Sequence, residues 1–132
     1  MKLAEILQII EGKVISKNVD LSQQVQMGSG ADLMSDVLAF IKPHALLLTG
    51  LTNVQTVRTA DVAEIRAIVF VRGKLPDKDT IELAAEKRIV LLATRLPMFE
   101  ACGELYTHGL RGGGGIGNEL RDAQRTPLPS AI

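Results

Sequence analysis

Apolar residues along the chain fall into short blocks, separated by stretches of mixed polarity at helical spacing. The clearest block is residues 67–77, AIVFVRGKLPD, where an apolar run from Ala67 to Val71 leads into Arg72, Gly73 and Lys74. An unbroken apolar run rich in β-branched residues predicts a strand buried on both faces, as in a parallel sheet. Pro76 and Asp77 then open a pattern in which Ile81, Ala84 and Ala85 share one side. Asp77 and Asp79 stand in its first turn, where negative charge suits the positive end of a helix. The unit recurs on both sides. Upstream, residues 45–48 run into Thr49-Gly50-Leu51-Thr52-Asn53 and a helical stretch to about Glu64. Downstream, residues 89–93 run into Thr94-Arg95-Leu96-Pro97 and a helix to about His108. The blocks begin at 45, 67 and 89, a spacing of 22 residues each time. Three βα units in series predict parallel strands joined by right-handed crossovers.

Before the repeat, Leu3, Ile6, Leu7 and Ile10 predict an amphipathic helix over residues 2–11 that stops at Gly12. Residues 13–16 read as a short strand and 17–20 as a turn. Residues 23–27 alternate, with Val25 and Met27 on one side, as in a half-buried strand. Residues 28–32, GSGAD, read as a turn in which Ser29 or Asp32 caps the next helix. That helix carries Leu33, Met34, Val37, Leu38 and Ile41, and Lys42-Pro43 ends it. Two early strands ahead of the repeat predict an α/β fold: a single domain with a mixed, mostly parallel sheet of five or six strands and flanking helices. From Gly109 the character changes. Five glycines lie in residues 110–117 and two prolines in 125–132, without periodicity. The expected division is therefore a globular domain over 1–108 and a Gly/Pro-rich mobile tail over 109–132, with a helical turn around 118–123.

Composition narrows the functional classes. At 132 residues, 46% hydrophobic and 23% charged, the chain is long enough for one buried core. Fifteen basic and fifteen acidic residues cancel, and no basic stripe with interleaved aromatics points to nucleic acid. One cysteine rules out an internal disulfide, and no Cys/His cluster suggests zinc. No metal or cofactor is expected. The opening MKLAEILQII carries Glu5 within its apolar run and lacks a small-residue cleavage site, so no signal peptide is expected. No apolar stretch reaches membrane-spanning length. The expectation is a cytoplasmic protein.

The candidate chemistry lies in the loops after the three repeat strands. They bring Thr49, Thr52, Asn53, Arg72, Gly73, Lys74, Thr94 and Arg95 towards one edge of the sheet. That edge is where open α/β sheets bind ligands. Three cations and several hydroxyls there suit a small anion such as a nucleotide or phosphorylated metabolite. The plainer alternative is solvated rim charges and threonine caps. Elsewhere the signals are structural. Asp32 and Asp36 lie one turn apart without further ligands, and read as a solvated face. The glycine run 112–117 formally contains G-x-G-x-x-G but follows no strand, and Asn118 stands where a P-loop needs lysine. Cys102 reads as a small core residue; His44 marks a strand entrance and His108 a helix end. Neither histidine has a nucleophile or acid partner by spacing, so a non-enzymatic protein is expected. Two classes stay open: a ligand sensor, or an interaction module without a small-molecule ligand. Apolar residues extend around more of helix 32–41 than one core-facing stripe needs, which predicts a homodimer with Gly28 and Gly30 allowing close approach.

Residues 28–40, GSGADLMSDVLAF, and 71–94, VRGKLPDKDTIELAAEKRIVLLAT, flank a strand–turn–helix. This arrangement resembles the DRTGG domain family over residues 1–108. That family is similar to the N-terminal domain of HPr kinase/phosphorylase and, more remotely, to the substrate-binding domain of Mur ligases. Its members occur alone, or as non-catalytic modules beside phosphotransacetylase or CBS–pyrophosphatase domains. The resemblance implies a regulatory or ligand-sensing module, often self-associating, rather than an enzyme, and it allows for a partner enzyme. The family's Asp-Arg falls on Thr52-Asn53 and its Thr-Gly-Gly on Val71-Arg72-Gly73. Gly73 alone is kept from that signature.

Overall fold

In a computed structural model describing residues 1–112 and 128–130, side chains alternate along each central strand and divide the core in two. The elements, in order, are α1 (Leu3–Ile9), β1 (Lys13–Val14), β2 (Met27–Gly30), α2 (Met34–Phe40), β3 (Ala45–Thr49), α3 (Val54–Val62), β4 (Ala67–Phe70), α4 (Lys78–Glu86), β5 (Val90–Ala93) and α5 (Met98–Thr107). One five-stranded sheet runs in the order β1-β5-β4-β3-β2. β2 to β5 are parallel and β1 is antiparallel to β5. The expected mixed α/β sheet is present, with the three repeat strands adjacent and parallel.

Leu46, Leu48, Val69, Val71 and Leu92 face one layer, closed by Leu3, Ile6 and Ile10 around α1 and by Ala101 and Leu105 of α5. Leu47, Ile68, Phe70 and Leu91 face the other, closed by Val37 of α2, Val57 and Ala60 of α3 and Ala84 of α4. Every residue of β3, β4 and β5 is buried, as a parallel sheet covered on both faces requires. The helices between parallel strands therefore share one face, and the first and last helices cover the other.

Helix boundaries follow local chemistry. Asn53 caps α3 through Oδ1, which accepts the Thr56 amide at 3.1 Å. Asp77 caps α4 in the same way, accepting the Thr80 amide at 2.9 Å and its hydroxyl at 2.7 Å. Glu11, Glu64 and Arg88 follow the ends of α1, α3 and α4 at φ of 50°, 60° and 57°. This left-handed position closes the last turn and usually holds glycine.

Three local expectations need correction. The second strand is not 23–27 but Met27–Gly30, so Gly28-Ser29-Gly30 form strand rather than turn. β3 supplies a complete parallel ladder to pair with, and this outweighs the poor strand preference of glycine. Neither Ser29 nor Asp32 caps α2, whose N-cap is Leu33 without a side-chain bond. The chain also remains packed beyond residue 108. Leu110 is buried, and the Gly28 amide donates to the Arg111 carbonyl at 2.9 Å beside a parallel Gly28–Gly112 bridge. The helical turn expected at 118–123, and most of the glycine run, lie outside the described residues.

Candidate functional site

The loops leaving β4 and β5 go to opposite faces, because α4 packs in one core layer and α5 in the other. Diverging crossovers from neighbouring parallel strands open a crevice at their C-terminal ends, the usual ligand position in open α/β sheets. Here the crevice lies beside the turn at Gly73 and Thr94-Arg95, towards Glu11 and Lys13. β1 closes its outer side, since Lys13 pairs with Ala93. A cavity of about 310 Å³ sits there, lined by Glu11, Lys13, Gly73, Leu75, Thr94 and Arg95, with Ala93 at its base.

Arg72 and Gly73 are consecutive left-handed residues, at φ of 60° and 70°. Their amides donate directly to the β5 loop, from Arg72 to the Leu96 carbonyl at 2.8 Å and from Gly73 to the Thr94 carbonyl at 2.9 Å. The turn is thereby fixed to the β5 loop, and those two amides already have protein acceptors. Polar groups left open at this edge therefore belong to side chains. Arg72, Lys74 and Arg95 are all exposed, and the ion pairs among the described residues involve other cations: Arg66 and Lys87 with Asp61, and Lys78 with Glu82.

Towards β3 the same edge is held by Asp32. Its Oδ1 accepts the Thr49 hydroxyl at 3.0 Å and the Gly50 amide at 2.8 Å. Arg72 flanks the same glycine: a Cβ on Gly50 would lie 3.6 Å from Asp32 Oδ1 and 3.8 Å from an Arg72 Nη. Sequence reading placed Asp32 in a cap or a solvated face and missed this cross-strand role. Only the register of β2 against β3 reveals it.

The eight residues expected at the edge divide by role. Thr49 and Thr94 are buried and their hydroxyls are engaged. Thr49 donates to Asp32 and accepts the Leu51 amide at 3.2 Å; Thr94 donates to the Ile10 carbonyl at 2.7 Å and accepts the Leu96 amide at 3.1 Å. Both hydroxyls tie the strand ends down; Thr94 also lines the cavity, and Thr49 does not. Asn53 uses Oδ1 for its cap, leaving its amide NH₂ without a partner among the described residues. Thr52 is partly exposed beside it. Gly73 and Arg95 line the β4–β5 cavity, Lys74 is the exposed residue next to Gly73, and Arg72 leans towards the β3 loop.

Shifted acidities lie outside the crevice. The Thr80 hydroxyl, and then its amide, hold the Asp77 carboxyl below the ordinary carboxylate range. Burial pushes the Cys102 thiol up, where Sγ lies 3.7 Å from Met98 Sδ. Among the described residues no group of three or more His, Cys, Asp or Glu side chains could hold a metal ion. Nor is any described helix long and apolar enough to cross a membrane.

Fold and edge together define an α/β domain with one mixed five-stranded sheet, five described helices and a ligand-sized crevice at the strand ends. Among solved structures it is similar to the CBS and DRTGG domains of the regulatory region of Clostridium perfringens pyrophosphatase, complexed with its activator diadenosine tetraphosphate. The likeness has a TM-score of 0.63 at 14% identity, and covers 93% of this chain and 57% of that one. The chain thus spans little more than half of that regulatory region. The similarity is one of fold, consistent with a DRTGG-like domain. No protein-family model matches the sequence, and no curated protein matches it.

Proposed function

We propose that this chain is a DRTGG-like, non-catalytic regulatory module of the cytoplasm. In this reading it binds a small anion, a nucleotide or phosphorylated metabolite, in the β4–β5 crevice and controls a partner enzyme. One observation carries the reading: Arg95 lines the cavity, Lys74 and Arg72 flank Gly73 in the adjoining turn, and none of these three cations has an ion pair among the described residues. Cations left unneutralised beside a cavity favour an anion, and a guanidinium suits phosphate oxygens in particular. Gly73 and Thr94 join Arg95 at the cavity, and Thr49, Thr52 and Asn53 on the β3 side of Arg72 extend the proposed contact set. That a solved structure of similar fold is a regulatory region with a bound nucleotide activator agrees with this class of function.

A thermal-shift screen of nucleotides and acyl phosphates tests it. A ligand at 100 times its Kd stabilises the folded state by about 2.7 kcal/mol, which moves Tm by several degrees in a domain of this size. A flat screen contradicts the reading.

A second reading, an interaction module that dimerises, has its own support. Leu33, Leu38 and Phe40 on and beside α2 are 61%, 52% and 70% exposed. A homodimer through this face is compatible with ligand sensing. Gly28 and Gly30, expected at that interface, are instead filled from within the chain. A Cβ on Gly28 would lie 2.8 Å from Leu110 Cδ2, and one on Gly30 2.9 Å from Cys102 Sγ and Met98 Sδ.

A further inference from the structure

The β4–β5 crevice is not uniformly cationic. Glu11 lines it together with Arg95, Lys13 and Gly73. Its carboxylate is exposed, and no ion pair or hydrogen bond engages it among the described residues. A free carboxylate lowers affinity for a ligand that is anionic all over. It suits a ligand that presents hydrogen-bond donors a short distance from its anionic group.

The backbone under Glu11 is fixed from several sides. Thr94 holds the preceding carbonyl of Ile10 at 2.7 Å, and the Gly12 amide donates to the Leu7 carbonyl at 2.8 Å. Gly12 packs so closely on β5 that a Cβ there would lie 2.8 Å from the Ala93 carbonyl oxygen. The carboxylate therefore extends from a rigid base beside the strand end. Leu75, 54% exposed, adds an apolar wall to the same cavity. A volume of about 310 Å³ is at the small end for ligand pockets and fits a nucleoside-sized group.

We propose that Glu11 is a specificity-determining residue of the crevice: it accepts hydrogen bonds from the vicinal hydroxyls of a ribonucleotide whose phosphate is held by the cations. This rests on the anion-binding reading above. Leu75 favours a ligand with a base over a bare sugar phosphate, because a ring gives that wall an apolar partner.

Calorimetric titration of the full chain tests this with four probes: AMP, 2′,3′-dideoxy-AMP, ribose 5-phosphate and inorganic pyrophosphate. The wild type is expected to prefer AMP over its dideoxy analogue by about tenfold, the scale of a hydrogen bond to a charged group. In Glu11→Gln that preference collapses towards unity, while pyrophosphate binds as well as before or better. Glu11→Gly, which suits the left-handed position at φ 50°, keeps the test independent of folding and is expected to behave like Glu11→Gln. Ribose 5-phosphate binding as tightly as AMP overturns the assignment of a base. Phosphate-bearing probes that bind with the same AMP preference in both variants overturn the role of Glu11 and leave the anion site standing. No binding of any probe to the wild type removes the anion site, and this inference with it.

Discussion

Under the proposed function, Arg72 is a residue at which binding and stability separate. It is held at φ 60°, a region that costs a residue with a side chain about 1–2 kcal/mol relative to the right-handed alternative. Its amide, not its side chain, ties the β4 turn to Leu96. Arg72→Gly is therefore expected to leave Tm unchanged or slightly raised, while anion affinity falls by about 1.5–3 kcal/mol, the scale of a charge-assisted hydrogen bond. Unfolding on this substitution, seen by circular dichroism, would make the guanidinium structural and remove it from the site. Asp77 illustrates a charge that serves the fold. Its carboxyl titrates below the ordinary value because the folded state donates hydrogen bonds to the anion. The stability it contributes is complete above the unfolded value near pH 4, and is lost as pH falls through the lower folded value. In Thr80→Val, which removes the hydroxyl and keeps the amide, the carbon chemical shift of the Asp77 carboxyl should titrate at higher pH than in wild type. An unchanged titration would mean that the hydroxyl does not set it.

At the scale of elements, the central βα units were legible because their physics is local. Strands buried on both faces read as apolar runs, and Asn53 and Asp77 mark helix starts by the chemistry of capping. β2 was not legible, because nothing in Met-Gly-Ser-Gly favours a strand. Its pairing comes from β3, and its glycines are shaped by the bulk of Cys102, Met98 and Leu110 lying against them. Distance along the chain hid the Asp32–Thr49–Gly50 connection and the carboxylate of Glu11 from sequence reading for the same reason. Of the expected edge set, Arg72, Gly73, Lys74 and Arg95 were legible as loop residues after strands, whereas the inward turn of Thr49 and Thr94 was not. α2 carries a prediction at this scale. Val37 is buried and Met34 packs against the core, but Phe40 is 70% exposed. If α2 forms a dimer interface, Phe40→Glu gives a folded monomer by sedimentation velocity, whereas Met34→Glu destabilises the subunit itself. A wild type that sediments as a monomer at micromolar concentration contradicts the dimer.

For the whole molecule, topology rather than any single residue makes the crevice. The parallel strands follow in sequence across the sheet with α2, α3 and α4 on one face, and only after β5 does the chain cross to the other. That change leaves Gly73 and Arg95 side by side in the lining of one opening, with Lys13 of β1 also lining it. The N-terminal ends of the strands hold a groove too, of about 510 Å³ near Lys17, Ile81 and Arg88, which gives an internal control for where ligands go. The most direct measurement is therefore amide chemical-shift mapping of the isotope-labelled chain titrated with AMP. The account predicts saturable shifts at Gly73, Lys74 and Arg95 with little change around Lys17 and Arg88. Shifts confined to the Lys17–Arg88 end, or none at millimolar nucleotide, would contradict it.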